Sequence, residues 1–456
     1  MPAATVPRPA GVDRAATRRA ILNTLKGSSG NLVEWYDVYV YSVFGVYFSP
    51  VFFGDSEPNA GIYTAAIFAV TFVMRPVGSW FFGVFADRRG RRPALMSGIL
   101  LMATGSMVIA LIPGKSAIGS WAVVILVLCR LVQGFATGGE YGTSATYMSE
   151  AATRERRGFF SSFQYVTLVG GAVLAQLTLL LLQVFLTRSE MQSFGWRIAF
   201  GLGGVAAVVV LWMRTSMDES LSDRDLEAVR VGQRPASSLR YLLAAQWRPL
   251  VLCFLITMGG TLCFYVYSVN SPLIVKKTYG DQGMTPTWIN LSGLVFLMVL
   301  QPVGGLISDK IGRKPLLIWF GAGALIYTYF LVTYLPRTTS PVVSFLLVAV
   351  SYIFLTGYTS INAIVKAELF PVHIRALGVG LGYAAANSAF GGTAPLIYEA
   401  LNKANQVPAY IAYIMALVGV SLVVYIFALR NKSSTYLDQE QGYAYEGSSS
   451  GSRTVN

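Results

Sequence analysis

The chain alternates long apolar stretches with short polar connections. Apolar stretches of about 20 residues recur along it, and a helix of that length crosses the roughly 30 Å of hydrocarbon in a bilayer. The strands of an outer-membrane barrel would instead show about ten residues of alternating polarity. The pattern therefore predicts an all-α membrane protein with twelve transmembrane helices, over residues 27–53, 63–86, 93–112, 121–141, 159–185, 196–213, 249–275, 289–308, 316–335, 342–365, 376–401 and 409–429.

A polar segment divides the spans into two groups of six. Residues 214–248 contain many acidic and basic side chains, and we interpret them as a cytoplasmic linker. The linker joins an N-terminal six-helix bundle, 27–213, to a C-terminal six-helix bundle, 249–430. Residues 1–26 are predicted to be a cytoplasmic N-terminus without a cleavable signal peptide. Residues 431–456, rich in Ser, Gly and Gln, are predicted to be a disordered cytoplasmic tail.

Charge is sparse and unevenly placed. Only 12% of the residues are charged, against about 25% in soluble domains, which argues against a water-soluble enzyme. The net charge of +13 would suggest a nucleic-acid partner in a soluble protein, but most of the 35 Lys and Arg residues fall in the N-terminus, the linker, alternate loops and the tail. Basic residues are retained on the cytoplasmic side of a membrane. We therefore place both termini in the cytoplasm and expect no nucleic-acid partner.

Motifs that bind cofactors are not found in the sequence. Cys129, Cys253 and Cys263 lie inside predicted spans without metal-ligand spacing, and the single histidine, His373, lies in a predicted cytoplasmic loop. The nucleotide-binding motif GxxxxGK(S/T) does not occur. We therefore expect no metal, no disulfide and no ATP-driven step.

An internal repeat relates the two halves. GVFADRRGRR at 83–92 and GLISDKIGRK at 305–314 share a glycine, an aspartate, a second glycine and an arginine at identical spacing. Two similar halves in parallel topology are typical of secondary transporters that bind substrate between the halves near the bilayer midplane. A glutamate and an arginine also recur at equal spacing after spans four and ten, at Glu150 and Arg157 and at Glu368 and Arg375.

These motifs carry a resemblance to a known superfamily. The loop G-x-x-x-D-(R/K)-x-G-R-(R/K), present twice, resembles the signature of the major facilitator superfamily, and RLVQG at 130–134 resembles its span-four motif. Three further segments resemble its metabolite:proton symporters, which carry organic acids and zwitterions. They are GNLVEWYD at 30–37, RPVG at 75–78 and GGEYG at 138–142, and the stretches 139–171 and 376–392 are most similar to members that carry 2-oxoglutarate.

The resemblance implies a fold, an activity and a location. The fold is the major facilitator fold of two pseudo-symmetric six-helix bundles. The expected activity is import of a small dicarboxylate, 2-oxoglutarate, by alternating access, driven by the proton gradient and requiring no cofactor. The expected location is the bacterial inner membrane, with the protein acting as a monomer in the lipid bilayer.

Three charged residues are predicted at the same membrane depth. At about 1.5 Å of rise per residue, Asp37, Arg75 and Arg130 each lie roughly 15 Å from the inner ends of their spans. Two arginines suit the two carboxylates of a dicarboxylate. Protonation of Asp37 would release an arginine to the substrate, so proton and substrate would favour each other's binding. Glu34, one helical turn away, is the second candidate for the coupling proton.

Each of these residues has a structural alternative. Asp37 and Arg130 could form a buried ion pair that only holds two helices together. Arg75 could fix the kink at the following proline, and Glu34 could pair with arginines nearer the cytoplasm. Polar side chains within the spans could donate hydrogen bonds to substrate oxygens or serve ordinary helix packing. They are Tyr36, Gln164, Tyr267, Asn270 and Asn387.

Charged residues near the predicted cytoplasmic ends of the helices are candidates for gating. They could bridge helices within each half while the inner gate is shut, a role that the resemblance implies. The alternative, topology marking by positive charge, explains the arginines but not the repeated acids. The candidates are Asp87, Arg91, Glu140, Glu150, Arg157, Asp309, Arg313, Glu368 and Arg375.

Other activities are compatible with the same sequence. The substrate could be another organic acid, such as citrate or shikimate, or a zwitterionic osmolyte. A protein of this fold could also sense a carboxylate as a receptor without transporting it. A channel fits less well, because paired charges at the midplane would obstruct a continuous pore.

Overall fold

The structure, a computed structural model, describes residues 14–54, 60–152, 154–216, 227, 231, 237–279, 284–429, 431 and 435–440. Every regular element within these residues is a helix. The N-terminal half contains α1 (Arg14–Phe53), α2 (Ala60–Val73), α3 (Arg75–Arg89), α4 (Arg91–Leu111), α5 (Lys115–Ile118), α6 (Trp121–Ala151), α7 (Arg157–Phe185), α8 (Arg188–Glu190) and α9 (Trp196–Arg214), with a 3-10 turn at Arg154–Arg156 and a π-helical segment at Met191–Gly195.

The C-terminal half has more interrupted helices. It contains α10 (Leu239–Ala245), α11 (Trp247–Tyr265), α12 (Ser271–Tyr279), α13 (Thr285–Ile311), α14 (Arg313–Tyr334), α15 (Pro341–Thr359), α16 (Asn362–Ala367), α17 (Arg375–Ala386), α18 (Ala394–Lys403), α19 (Val407–Phe427) and α20 (Tyr436–Glu440). The π-helical segment Val266–Asn270 connects α11 to α12, and a second one, Asn387–Gly391, leads from α17 towards α18. Two 3-10 turns occupy Leu335–Arg337 and Val372–Ile374.

The membrane-spanning segments agree with the hydropathy pattern. Ten helical segments in the described part of the chain are long and apolar enough to cross a bilayer. Helix α1 and the pair α17–α18 occupy the other two predicted spans, and both contain many small or polar residues that lower the mean hydropathy. Together these segments correspond to the twelve predicted spans.

Local chemistry explains two breaks in these spans. The second span divides between α2 and α3, where Pro76 has no N–H to donate to the preceding turn. The tenth span divides between α15 and α16, where the hydroxyls of Thr356 and Ser360 bond to carbonyls four residues earlier. Such bonds compete with the helix ladder and bend a helix. Each break places a charged residue, Arg75 or Lys366, on a helix that begins within the membrane.

Helix α6 is longer than the fourth span that the sequence predicts. The hydropathy pattern places its end at residue 141, but the helix continues to Ala151. The hydroxyls of Thr143, Thr146 and Ser149 bond to carbonyls of their own helix, so these polar residues do not end it. Glu140 consequently lies well inside α6 rather than near its end.

Part of the segment that the sequence predicts to be disordered, Tyr436–Glu440, is helical. Helix α20 follows Thr435, whose hydroxyl accepts from the Asp438 N–H, and the Leu437 side chain is buried. Residues 441–456 and the acidic part of the linker lie outside the described residues. The pattern of small and polar residues does not reveal that residues 435–440 dock on another part of the chain.

The two halves meet along two close helix contacts. Helix α7 packs against α13, and α17 packs against α3 and α6. A Cβ atom added to Gly142 would lie 2.6 Å from the Cα of Gly380, and one added to Gly305 would lie 2.6 Å from the carbonyl oxygen of Gly158. Glycine therefore allows the backbones of the two halves to touch.

Candidate functional site

Asp37 and Arg130 belong to a hydrogen-bond network inside the N-terminal half. Arg130 Nη1 donates to Asp37 Oδ2 at 3.0 Å and to Gln133 Oε1 at 2.8 Å. Ser106 Oγ donates to Asp37 Oδ1 and accepts from Gln133 Nε2 at 3.0 Å. All four side chains are buried, and the Arg130 guanidinium lies 4.3 Å from the centre of the Tyr41 ring. The network joins α1, α4 and α6, and it balances the Asp37 charge with an arginine.

Arg75 has different surroundings. Its guanidinium carbon lies 4.1 Å from the centre of the Phe72 ring and 5.5 Å from that of Trp35. The side chain is 1% exposed, yet its Nε and Nη2 atoms have no hydrogen-bond partner among the described residues. A guanidinium with unused donors is suited to bind a carboxylate through two parallel hydrogen bonds.

A narrow cavity between the halves, too small in this conformation to hold a water molecule, contains Arg75 and Glu34. Glu34 is 2% exposed, and its Oε2 atom accepts no hydrogen bond within the described part of the chain. The charges of Arg75 and Arg214 act on this carboxylate, as does that of Glu140. The lining consists of Glu34, Trp35, Arg75, Thr137, Gly138 and Tyr141 from the N-terminal half and Tyr383 and Ala384 from the C-terminal half.

Two tyrosines from opposite halves close one wall of this cavity. The rings of Tyr141 and Tyr383 stack with centroids 3.5 Å apart and planes inclined by 14°. The hydroxyl of Tyr141 accepts hydrogen bonds from Asn362 Nδ2 at 2.9 Å and from Lys366 Nζ at 3.2 Å. Asn362 Nδ2 also donates to the Tyr165 hydroxyl at 3.0 Å. These residues join α6 and α7 of the N-terminal half to α16 and α17 of the C-terminal half.

Sequence reasoning missed this cluster. The hydropathy pattern ends the tenth span at residue 365 and assigns Lys366 to a cytoplasmic loop, whereas the structure buries the lysine completely. A lysine directly after the run Ile361–Val365 was the available signal, since a basic residue beside an apolar run can lie within the span. Tyr141 and Tyr383 carried no local signal, because tyrosine is common in membrane helices.

The other candidates for substrate binding are distributed over both halves. Gln164 accepts a hydrogen bond from Ser144 at 3.1 Å through Oε1, while its Nε2 lacks an acceptor among the described residues. Neither amide atom of Asn387, at the start of a π-helical segment, has a partner there. Both residues are buried, but neither lines the cavity.

Three further candidates point into packed regions. The Tyr36 hydroxyl donates to the Ala199 carbonyl at 3.0 Å. The Tyr267 and Thr328 hydroxyls are hydrogen-bonded at 2.6 Å. The third, Asn270, donates to the Tyr410 hydroxyl. The structure therefore does not bring Tyr36, Tyr267 or Asn270 to the cavity with Arg75.

Two aspartates bind helix N-termini across the interface between the halves. Asp87, at the end of α3, accepts from the backbone N–H groups of Ala376 at 3.2 Å and Leu377 at 3.1 Å. Asp309, near the end of α13, accepts from those of Gly158 at 2.7 Å and Phe159 at 2.9 Å. A carboxylate at a helix N-terminus satisfies unpaired N–H groups and complements the helix dipole. We call this end of the molecule the linker side; it carries Arg91, Arg157, Arg313 and Arg375.

Ion pairs reinforce the same side. Glu150 Oε1 lies 3.0 Å from Arg375 Nη1 and 3.3 Å from Arg91 Nη2, so this carboxylate joins α6 to both α17 and α4. Arg91 also pairs with Asp87. In the second copy of the repeated loop motif, at residues 305–314, Arg313 lies 3.1 Å from Asp309, and it also lies 3.6 Å from Glu368.

These contacts differ from the predicted gating arrangement in one respect. The repeated charges predict bridges within each half, but Asp87, Asp309 and Glu150 also join one half to the other. Glu140 pairs with Arg214 inside the N-terminal half, between α6 and α9, and takes no part in the contacts on the linker side. The cause is the approach of α17 to α3 and α6, which sequence spacing does not reveal.

Arg157 pairs with the tail. Its Nη1 lies 2.8 Å from Asp438 Oδ1, and Nη2 donates to the Leu437 carbonyl at 3.4 Å. Burial alone would raise the pKa of Asp438, but hydrogen bonds from Thr435 and the Arg157 guanidinium outweigh it and hold that pKa below its usual value. Helix α20, which follows the last span of the C-terminal half, is thus fixed to the first turn of α7 in the N-terminal half.

On the opposite side the halves leave a cleft of about 290 Å³. Tyr39 and Gln176 line it from the N-terminal half, and Lys276 and Asn290 line it from the C-terminal half. The Tyr39 hydroxyl donates to Ser268 Oγ at 3.3 Å across the interface. The molecule is therefore joined by charged contacts on the linker side and is more open on the other.

No group of three or more His, Cys, Asp or Glu side chains among the described residues could hold a metal ion. Cys129, Cys253 and Cys263 are buried thiols that form no disulfide. The candidate site therefore consists of charged and aromatic side chains between two helical bundles.

Comparison with known sequences identifies relatives over the whole length. The family described as "Sugar (and other) transporter" matches residues 24–240 and 223–443. The alpha-ketoglutarate permease of Escherichia coli (strain K12) is 41% identical over 425 residues, which cover 93% of this chain and 97% of that protein. The citrate-proton symporter of Salmonella typhi is 31% identical over 424 residues, covering 91% and 95%. The ectoine/proline transporter ProP of Corynebacterium glutamicum is 31% identical over 431 residues, covering 89% and 84%.

Comparison with solved structures supports the fold. The proton:xylose symporter XylE bound to 6-bromo-6-deoxy-D-glucose superposes with a TM-score of 0.80 at 17% identity, covering 94% of this chain and 100% of that one. The inward-open conformation of XylE from E. coli superposes with a TM-score of 0.65 at 18% identity, covering 93% and 100%. The predicted all-α, twelve-helix major facilitator fold is confirmed.

Proposed function

Because the chain belongs to the sugar (and other) transporter family of the major facilitator superfamily, we propose that it is a proton-coupled symporter that imports 2-oxoglutarate. In this proposal it resides in the bacterial inner membrane with the linker side facing the cytoplasm. The relative that is 41% identical is named for alpha-ketoglutarate, the same dianion. No cofactor is required, since the proton gradient supplies the driving force.

The observation that carries the proposal is the state of Arg75. A buried arginine is costly in a membrane protein, and such residues almost always face a cavity or a partner. Arg75 faces a cavity between the halves and keeps two donor atoms without an acceptor among the described residues. A carboxylate of the substrate would supply the missing acceptor. Binding there would contact both halves at once, because Tyr383 and Ala384 line the same cavity.

Two carboxylates are available to couple the proton. Asp37 is our first candidate, because protonation would remove the charge that holds Arg130 at 3.0 Å. Glu34 is the second candidate, because it shares the cavity with Arg75 and would compete with an anionic substrate until protonated.

Alternating access would use the contacts on the linker side as the inner gate. With the gate shut, Asp87 and Asp309 bind helix N-termini of the opposite half, and the cleft on the other side faces outward. Opening the gate would break these bonds and expose the cavity to the cytoplasm. Breaking them is compensated if the outer cleft closes over the bound substrate.

Uptake of labelled 2-oxoglutarate into proteoliposomes containing only this protein tests the proposal. We expect accumulation above the external concentration with an inward proton gradient and equilibration without one. Unlabelled 2-oxoglutarate should compete better than succinate, citrate, shikimate or glycine betaine. The same experiment without protein is the control for leakage.

Two relatives motivate the choice of competitors. One is a citrate-proton symporter and another an ectoine/proline transporter, each 31% identical. If citrate or a zwitterion competed more strongly than 2-oxoglutarate, that compound would be the substrate instead. Binding of a carboxylate without any uptake would instead favour a receptor and contradict transport.

A further inference from the structure

We propose that Lys366 binds the second carboxylate of the substrate, opposite the carboxylate held by Arg75. This inference rests on the proposed function, because it requires a substrate with two carboxylates. It assigns to the C-terminal half a binding residue that pairs with Arg75 of the N-terminal half.

Lys366 lacks an acidic partner among the described residues. Lys366 is fully buried in α16, and its ammonium makes one hydrogen bond, to the Tyr141 hydroxyl. In the described part of the chain no carboxylate lies within ion-pair distance of it. An ammonium group has three donors, and a buried charge without a counter-ion is strongly unfavourable. Two donors therefore remain for an anion that is not part of the protein.

Aromatic rings surround the ammonium group of Lys366. Nζ of Lys366 lies 4.4 Å from the ring centre of Tyr383, 5.0 Å from that of Tyr141 and 5.8 Å from that of Tyr358. Ring faces attract a cation but do not neutralise it. They can hold the ammonium in place while the site is empty and leave its charge available to a carboxylate.

Lys366 lies next to the cavity that contains Arg75. Tyr141 and Tyr383 contact Lys366 and also line the cavity that contains Arg75. The two tyrosines belong to opposite halves, so their stacked rings separate whenever α6 and α17 move apart. Separation of the rings joins the surroundings of Lys366 to the cavity. One small dianion then contacts a cation from each half.

Helix α16 is placed for this role. It is a short helix that follows the break after α15, and it packs on α6 and α7 of the opposite half. The N–H of Ile364 donates to Ser161 Oγ at 3.0 Å across the interface. Lys366 therefore lies on an element whose position depends on both halves.

The test compares two ligands that differ only at the distal carboxylate. In 2-oxopentanoate, a methyl group replaces that carboxylate of 2-oxoglutarate. Binding of both to the purified full-length protein is measured by calorimetry for the wild type, Lys366→Met and Lys366→Gln. Lys403→Met, which removes an exposed lysine at the end of α18, is the matched control.

We expect Lys366→Met to weaken binding of 2-oxoglutarate by about tenfold or more, the loss of a charged hydrogen bond, and to leave binding of 2-oxopentanoate unchanged. Lys366→Gln should show the same change as Lys366→Met. The glutamine variant replaces the methionine variant in the test if the latter does not purify as a folded monodisperse protein. Lys403→Met should bind both ligands as the wild type does.

Other results would overturn the inference. Equally weakened binding of both ligands would show that Lys366 has a structural role only. An unchanged preference for 2-oxoglutarate over 2-oxopentanoate would show that the distal carboxylate binds elsewhere. In both cases the wild type still binds 2-oxoglutarate, and the proposed function stands. A wild type that binds no dicarboxylate would overturn the proposed function together with the inference.

Discussion

Arg75 and Arg130 are both buried, but their partners differ. Arg130 has a carboxylate at 3.0 Å and an amide oxygen at 2.8 Å, within one half of the molecule. Nε and Nη2 lack an acceptor among the described residues in both arginines, but Arg75 lies at the boundary between the halves against two aromatic rings, without a carboxylate within ion-pair distance in the described part of the chain. A charge at the bilayer centre costs at least about 2.5 kcal/mol on insertion scales. The Asp37 carboxylate offsets this cost for Arg130, whereas Arg75 retains the capacity to bind a ligand.

Replacement of Asp37 tests its role in coupling. Asp37→Asn cannot ionise, so substrate binding would no longer depend on a proton at this position. We expect uphill accumulation of 2-oxoglutarate to be lost while exchange between equal internal and external pools continues. Accumulation and counterflow in the same proteoliposomes measure the two activities.

Glu34→Gln is the control for the Asp37 experiment. Normal accumulation in Asp37→Asn together with uncoupling in Glu34→Gln would move the proton site to Glu34. Loss of both accumulation and exchange in Asp37→Asn would instead indicate that the network with Arg130 only stabilises the fold.

Replacement of Arg75 tests recognition of a carboxylate. Arg75→Lys keeps the positive charge but loses the planar fork that binds both oxygens of a carboxylate. We expect the apparent affinity for 2-oxoglutarate to fall by about tenfold, the equivalent of one charged hydrogen bond. The apparent affinity is measured from the dependence of the initial uptake rate on the concentration of 2-oxoglutarate.

Arg197→Lys is the matched control for Arg75→Lys. Arg197 donates to the carbonyls of Ala110 and Ile112 on the side opposite the linker and lies outside the cavity. Its replacement should leave the affinity unchanged. An unaltered affinity in Arg75→Lys would reassign Arg75 to the kink between α2 and α3.

At the scale of elements, two helix N-termini receive equivalent aspartates. Asp87 binds the first turn of α17, and Asp309 binds the first turn of α7. In each case the second and third residues of the helix donate their N–H groups. The repeated loop motif thus corresponds to a repeated contact between halves. The motif glycines Gly90 and Gly312 have φ of 106° and 98°, a region that favours glycine and turns the chain into α4 and α14.

Neutralising one of these aspartates should weaken the closed linker side. Asp309→Asn keeps one carbonyl oxygen but loses the charge that complements the α7 N-terminus. We expect the equilibrium to shift towards an open linker side by about tenfold. Spin labels on cysteines introduced at the exposed positions of Arg89 and Lys310 would report a larger population of long distances.

Asn431→Ala is the control for Asp309→Asn. Asn431 donates to the carbonyl of Ile311 next to the same loop but does not bind the α7 N-terminus. Its replacement should leave the distance distribution unchanged. An unchanged distribution in Asp309→Asn would show that the ion pairs, rather than the helix N-termini, hold this side closed.

At the scale of the molecule, the tail connects the end of the chain to the opposite half. Helix α20 places Asp438 against Arg157 at the start of α7. The Asp438 pKa is lowered, so its contribution to stability is present above the pKa of an unperturbed aspartate, about 3.9, and is lost only as the pH falls below that value. The Asp438 carboxylate therefore remains ionised throughout the pH range in which a transporter operates.

Removal of this contact should loosen the molecule independently of pH. Asp438→Asn is expected to lower the melting temperature of the purified protein by the same amount at pH 5 and pH 8, because Asp438 is ionised at both. Gln439→Ala, an exposed neighbour on α20, is the control. A destabilisation confined to one of the two pH values would contradict the assignment.

The sequence alone determined the spans, their division into two bundles and the repeated motifs. Span length follows from bilayer thickness, and basic residues collect at one side, so both can be predicted from a short window of the chain. The charged residues Asp37, Arg75 and Arg130 were identifiable for the same reason: an ionised side chain inside an apolar stretch is conspicuous wherever the helix lies.

Only the tertiary structure decided which of these residues meet. Tyr383 lies far from Arg75 in the sequence but lines the same cavity, and Lys366 contacts the Tyr383 ring, because α16 and α17 pack on the N-terminal half. The breaks that allow this depend on side-chain hydrogen bonds within helices, which hydropathy does not register. The partner of each charge is a property of helix packing, and packing depends on contacts between distant residues.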